Sequence, residues 1–207
     1  TELLKYKEKH GTKDVFSYQQ DRISPYARRM TPLILAAFKD LTITDANLKE
    51  TLTLFERWEF DFDELSQTPG IYSVFLSNFF RNTLLDELGE ELLNDYARIS
   101  NLPLKVMDNL VLNNNAPLFD DISTTTVETR DDIIRKSLDD ALHYLESTYG
   151  TNIAGWQWGN LHKVRLKHFF SGRSGLLDSF IDDGPYPIGG DGTTLNLSEY
   201  PFYTQNE

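Results

Sequence analysis

The 207 residues carry 32 Asp and Glu against 20 Lys and Arg, a formal net charge of −12, with 40% hydrophobic and 13% aromatic residues and no cysteine. Such a chain can bury one sizeable core, has no thiols for disulfides or thiolate metal sites, and repels the phosphates of nucleic acid, which is excluded as a partner. No run reaches the roughly eighteen consecutive apolar residues of a membrane span, Thr1–Lys5 lacks the basic and apolar regions of a signal peptide, and the acidity reads as a solvated surface.

Residues 1–18, with Lys5, Lys7, Glu8, Lys9, Lys13 and Asp14, show little apolar periodicity and read as an exposed lead-in to a single, mostly helical domain over 19–207. Helical patterning begins at Gln19, breaks at Pro25 and restarts at Thr31-Pro32, a capping residue followed by the proline that suits a first helical position. Leu33 to Phe38 is apolar almost all round, as in a buried helix. Thr44 is the next cap, and Leu48, Leu52 and Phe55 recur at helical spacing toward Trp58. The acidic, aromatic stretch Glu59–Glu64 reads as a connection closed by Pro69-Gly70.

Ile71, Val74, Phe75, Asn78, Phe79 and Asn82 then mark one helical stripe, widened by Phe80, Leu84, Leu85 and Leu88, which places this helix deep in the core. A polar helical segment runs from about Glu90 to Arg98, and Pro103 opens a short helix through Val106 and Leu110 to Asn113-Asn114-Asn115. The clearest helix has Thr129 as cap, Asp131 and Asp132 in its first turn, Ile134, Leu138, Ala141 and Leu145 on one face, and Gly150 beyond its end. Past Gly150 the period changes. His162, Val164, Leu166 and His168 alternate with Lys163, Arg165 and Lys167, a strand that presents three cations on one face and calls for carboxylates opposite. Gly172, Gly175, Gly184-Pro185 and Pro187 break the chain into turns, and Gly189-Gly190-Asp191-Gly192 leads into a predicted strand, Thr193–Leu197. The pattern predicts a mainly α fold with a small β portion near the C-terminus: helices within 19–150, β-prone segments within 160–200.

The chemistry-bearing residues do not assemble into a complete catalytic set. An N-terminal threonine such as Thr1 can attack a carbonyl with its own amine as base, but that requires a well-packed strand and the residues after Thr1 are polar and charged. His10, His143, His162 and His168 lack the spacing of a zinc helix; His162 and His168 could share a strand face with an aspartate around a metal, yet beside Trp156 and Trp158 they read as structural histidines. Asp120-Asp121, Asp182-Asp183 and Asp191 match no calcium loop and read as solvated turns. Gly189–Gly192 does not follow a strand and open a helix, so it is no dinucleotide or phosphate loop, and Ser171-Gly172 and Ser174-Gly175 lack the nucleophile elbow.

Four stretches, in order over roughly nine tenths of the chain, resemble the later part of the β-chain of the penicillin acylase (penicillin amidase) family of N-terminal nucleophile hydrolases. They are Gln19-Gln20-Asp21 with Ser24, Ala27 and Pro32-Leu33; Leu54–Trp58 with Arg81–Leu88; Trp156-Gln157-Trp158-Gly159-Asn160-Leu161-His162; and Gly189-Gly190-Asp191-Gly192-Thr193-Thr194-Leu195-Asn196. The resemblance implies the helical part of an α+β hydrolase β-chain, made as a self-cleaving precursor. A serine or related residue exposed at the new β-chain N-terminus would form an acyl-enzyme, with the oxyanion held by backbone N–H groups and an asparagine side chain.

In that family the nucleophile, the oxyanion asparagine and the arginine of the catalytic region precede the stretch that matches Gln19 onward. Arg28 and Arg29 look superficially like that arginine, but Ser24, Ala27 and Pro32 fit the later helix. No catalytic, cofactor-binding or metal-binding residue is therefore assigned in this chain. The expectation is a fragment of an N-acyl amide hydrolase, inactive alone and free of cofactor. Its partners would be the α-chain and the catalytic part of the β-chain, the parent would take a small-molecule N-acyl substrate, and the parent would be periplasmic or secreted. The competing expectations are a non-catalytic helical binding or scaffold module and, last, a hydrolase using Thr1. The Trp156–Asn196 region is expected to be a β-rich seam joining the helical scaffold to a catalytic sandwich, with Trp156 and Trp158 largely buried.

Overall fold

Helix boundaries in the computed structural model, which describes residues 2–99 and 102–196, follow local capping chemistry more closely than the apolar runs. Ser24 accepts a hydrogen bond from the Ala27 amide at 3.0 Å with Pro25 at the first helical position, so α2, Pro25–Phe38, starts about two turns before the expected restart at Thr31-Pro32. It continues through Pro32. Pro32 and Arg28 both lie on the exposed side of α2, so the hydrogen bond that Pro32 cannot make falls where water competes for it. The cap of α3, Ala46–Arg57, is Asp45 and not Thr44, because the Asp45 carboxylate accepts the Leu48 amide at 2.7 Å.

The lead-in is also more ordered than its composition predicts. Helix α1, Thr12–Gln19, ends where helical patterning was expected to begin; it buries no residue, and the Asp14 carboxylate folds back to accept the Gly11 amide at 2.9 Å. Helix α4, Gln67–Ala97, consists of two helical stretches joined at Gly89, whose φ of 69° interrupts the hydrogen-bonded run. It begins before Pro69-Gly70, which sit inside its buried first turns rather than closing a loop. Helix α5 spans Leu102–Leu110. Helix α6, Arg130–Tyr149, has the expected ends: Thr129 and Asp132 form a reciprocal capping box, and Gly150 terminates it with a φ of 84°.

Helices α4 and α6 form the central pair, α2 packs on α6, and α3 lies against both α2 and α4. Between α4 and α6, Asn82 Nδ2 donates to Ser137 Oγ at 3.1 Å and to Asp140 Oδ2 at 2.8 Å, fixing the register of the two helices. The core continues through Phe55, Phe62, Tyr72, Phe75, Phe79, Phe119, Ile134, Leu138 and Leu145 into Trp156 and Trp158.

After α6, a short helix α7 (Trp158–Leu161) leads into strand β1 (Lys163–Leu166), helix α8 (Gly175–Ile181) and strand β2 (Asp183–Pro187). The two strands pair antiparallel, Lys163 opposite Pro187 and Val164 opposite Tyr186, with an irregularity before Leu166 meets Asp183. The fold is mainly α with a small β portion, as predicted, but the second strand lies in the Gly184-Pro185 and Pro187 stretch that the sequence presents as turns. In a two-stranded ribbon every strand has a free edge, so prolines cost no ladder bond when their missing N–H points outward. Thr193–Asn196, expected as the start of a strand, forms turns and bends instead; Leu197 lies outside the described residues.

Candidate functional site

Four segments outside the long helices converge at the base of α2 and α4: 20–24, 58–66, 156–162, which includes the single-turn α7, and 187–196. Main-chain hydrogen bonds stitch them pairwise. Ser24 N donates to Phe60 O at 2.9 Å and Phe62 N to Arg22 O at 3.0 Å; Trp158 N donates to Ser66 O and Gly159 N to Glu64 O, both at 2.8 Å. Gly190 N reaches Phe62 O at 2.9 Å, and Asn196 N reaches Asp21 O at 2.8 Å. Four segments held this way form a seam as fixed as a small sheet.

The glycines permit the approach. A Cβ on Gly189 would stand 2.7 Å from Phe62 O, one on Gly190 2.3 Å from Asn196 O, and Gly190 also has a φ of 77°. Gly70, inside α4, faces the same region: a Cβ there would stand 2.4 Å from Trp156 O.

Both tryptophans are buried, as expected. Trp156 Nε1 donates to Gly150 O at 2.8 Å and Trp158 Nε1 to Gly190 O at 2.9 Å. Trp158 meets Phe62 edge-on and stacks on His162 at 4.3 Å between ring centroids. Phe62 in turn contacts Tyr72 and Trp58, so an unbroken aromatic path connects the seam to the helical core.

The polar groups of the seam are committed to holding it together. Thr193 Oγ1 donates to Asp191 Oδ1 at 2.8 Å, and the Thr193 amide reaches the same oxygen at 2.7 Å. The Thr193 hydroxyl, its proton so used, accepts from Ser24 Oγ at 2.6 Å, while Ser24 Oγ accepts the Ala27 amide. The order Ala27, Ser24, Thr193, Asp191 is therefore a directed chain that ends on a carboxylate, and the Ser24 hydroxyl serves it from a fully buried position. This Asx-type turn is also why Thr193–Asn196 does not extend as a strand. Burial pushes the Asp191 carboxyl above its ordinary range, against the lowering effect of the Thr193 hydrogen bonds.

Arg22 supplies a second fastening. Its guanidinium contacts Asp61 at 3.1 Å, Asp63 at 2.8 Å and Glu64 at 2.7 Å, converting the acidic stretch of 59–64 from a solvated connection into a clasp on the segment before α2. In the sequence Arg22 shows only as a cation within the Gln19–Ser24 stretch, with its acidic partners in a separate aromatic and acidic run.

The histidines do not come together. His162 is buried and its Nδ1 lies 3.0 Å from Ile188 O, an acceptor, so Nδ1 carries the proton. His168 lies beyond the end of β1, exposed; His10 lies 2.8 Å from the Tyr18 hydroxyl, and His143 is exposed on α6 near Asp139. Asp182 accepts the His168 amide at 2.9 Å and the Ser171 hydroxyl, closing the loop after β1, while Asp121 caps Ser123. Among the described residues no three His, Asp or Glu side chains are grouped to hold a metal ion. Thr1 lies outside the described residues. Asp182 is held below the ordinary carboxylate range first by the Ser171 hydroxyl and the His168 amide, and to a smaller extent by the charges of Arg165 and Lys167.

Three of the seam's four segments, 20–24, 156–162 and 187–196, contain several residues that carry the family likeness, 58–66 contains only Trp58, and the likeness extends over the chain. The penicillin amidase family model matches residues 1–206, and the chain belongs to that family. Among curated proteins, acyl-homoserine lactone acylase QuiP of Pseudomonas aeruginosa is 33% identical over 150 residues, which cover 65% of this chain and 18% of that protein. Proteins of the same name from Pseudomonas fluorescens and Pseudomonas syringae pv. syringae are 27% and 26% identical over 206 residues, 93% of this chain and 24% and 25% of theirs. The chain thus spans a quarter or less of the length of these relatives.

Proposed function

We propose that the chain is the seam-bearing helical scaffold of an N-acyl amide hydrolase, with the N-terminal nucleophile and oxyanion donors on polypeptide outside these residues. The observation that carries this reading is the family match over residues 1–206 by a chain that spans 18% to 25% of its acylase relatives. In such an enzyme the nucleophile attacks the amide carbonyl, the tetrahedral oxyanion is held by N–H donors, the amine leaves and water releases the acid. The scaffold's part is rigidity. Its groups are spent on hydrogen bonds within the seam, which would hold a neighbouring catalytic layer at fixed distance from α2 and α4.

The relatives' name points to N-acyl homoserine lactones as the substrate class, and the parent is proposed to be a processed precursor exported to the periplasm or beyond. The test is turnover. The 207-residue chain and the product of its complete gene are incubated with an N-acyl homoserine lactone and with a phenylacetyl amide, and released amine is measured. The full product hydrolyses at least one of them and the chain alone does not. Turnover by the chain alone, or none by the full product on any N-acyl amide, contradicts the proposal. Osmotic-shock fractionation of the native host tests export separately: activity confined to the cytoplasmic fraction would refute it.

A further inference from the structure

The arm formed by β1, α8 and β2 turns its apolar side chains outward. Phe169, Phe180 and Leu176 are 91%, 81% and 74% exposed, and Leu166, Phe170 and Tyr186 are at least half exposed. Helix α8 buries no residue, and the Phe169 and Phe170 rings contact each other edge-on at 5.3 Å between centroids, as neighbours on an open surface. Folded monomers seldom leave so many large apolar groups together in water. The arm also departs from the chain's charge. Residues 163–187 hold four cations, Lys163, Arg165, Lys167 and Arg173, against three carboxylates, Asp178, Asp182 and Asp183, in a chain whose net charge is −12.

We propose that this arm docks on a further stretch of the same polypeptide, through an apolar surface rimmed by carboxylates. The proposal rests on the reading of the chain as part of a longer acylase, since the relatives carry three quarters or more of their length outside the matched stretch. Charge decides against a second copy. Two copies of an arm with four cations against three carboxylates repel where they meet, whereas a separate apolar surface rimmed by carboxylates attracts both its cations and its exposed apolar groups.

Hydrogen–deuterium exchange over residues 163–187 in the 207-residue chain and in the full gene product tests the docking. Amides of α8 and the 166–174 connection exchange at least tenfold more slowly in the full product. The Phe169→Asp/Phe180→Asp variant leaves the melting temperature of the 207-residue chain within about a degree, as expected for surface sites, while it cuts the yield of assembled full product several-fold. Equal exchange in the two, with a full product that hydrolyses acyl amides, overturns the docking and leaves the acylase reading intact. A protected arm in a full product without hydrolase activity does the reverse. A gene that encodes nothing beyond these 207 residues overturns it, as does a 207-residue chain that is dimeric by light scattering and made monomeric by Phe180→Asp, which would install the second copy as occupant.

Discussion

The indole nitrogen of Trp158 donates to the carbonyl of Gly190 at 2.9 Å, joining residues 32 positions apart through a bond buried from solvent. The ring that makes the bond also fills the space between Phe62 and His162. Two substitutions separate these contributions. Trp158→Phe keeps most of the packing and leaves the Gly190 carbonyl without its donor, a loss of about 1–2 kcal/mol; Trp158→Ala also opens a cavity and destabilises by about 3–5 kcal/mol. Urea unfolding followed by far-UV circular dichroism reads both, and an alanine variant no weaker than the phenylalanine variant would refute the account of the seam.

Gly70→Ala sets helix propensity against close approach. In an open helix the change would stabilise by about 1 kcal/mol. Here the new methyl would lie 2.4 Å from Trp156 O, a backbone atom fixed by the seam, so either α4 or the 156–158 segment must shift. The expected sign is destabilisation, by about 1–3 kcal/mol, with a fall in the thermal midpoint. An unchanged or higher midpoint would mean that Trp156 is free to move.

Arg22→Ala removes the cation shared by Asp61, Asp63 and Glu64. The side chains are 25% to 40% exposed, so the Coulombic part is largely screened and the loss should be about 1–2 kcal/mol rather than the several expected of a dry ion pair. Removing the cation also leaves three carboxylates facing one another. Added salt therefore narrows the gap between variant and parent; a gap independent of salt between about 0.05 and 0.5 M would assign the effect to packing of the Arg22 stem.

Asp191 contributes a pH dependence of definite sign. Burial raises its carboxyl above the ordinary value of 3.8, so the folded state holds the proton over a window in which the unfolded chain has released it. Its contribution to stability is therefore most unfavourable above the raised value and recovers as pH falls through it toward 3.8. Asp191→Asn keeps an oxygen for the Thr193 amide and hydroxyl and removes the charge. The variant should unfold at higher urea than the parent at neutral pH, and the difference should shrink in acid. A variant weaker than the parent at pH 7 would show that the ionised carboxylate, rather than the acceptor alone, is what the Ser24–Thr193 chain requires.

Much of the helical layer was legible because its signals are local. Thr129, Asp132 and Gly150 define α6 by chemistry within a few residues of each end, and the stripe from Ile71 to Leu88 needs no knowledge of what it packs on. The failures came where a residue's role depended on a distant partner. Pro32 looks like a helix start until Ser24 and Pro25 are seen to have begun α2. Thr193–Asn196 has the residue types of a strand, but the Asp191 carboxylate, reached from within the same turn, offers its amide a better partner. Gly184, Pro185 and Pro187 have turn chemistry and pair with β1 because a lone ribbon tolerates them. The seam itself was visible as a concentration of tryptophan, glycine and histidine at 156–162 and 189–196. Its other half, Arg22 and the 59–64 carboxylates, was not, because a salt bridge spanning about forty residues leaves no periodicity to read.

The central claim is that acyl transfer belongs to polypeptide outside this chain, and trapping the acyl-enzyme tests it most directly. The full gene product is incubated with an activated acyl ester, quenched in acid, digested and mapped by mass spectrometry. The account predicts a single acyl adduct on the N-terminal residue of a processed chain outside positions 1–207, with every peptide of this scaffold unmodified. An adduct on Thr1, or on any hydroxyl of the seam such as Ser24 or Thr193, would contradict it.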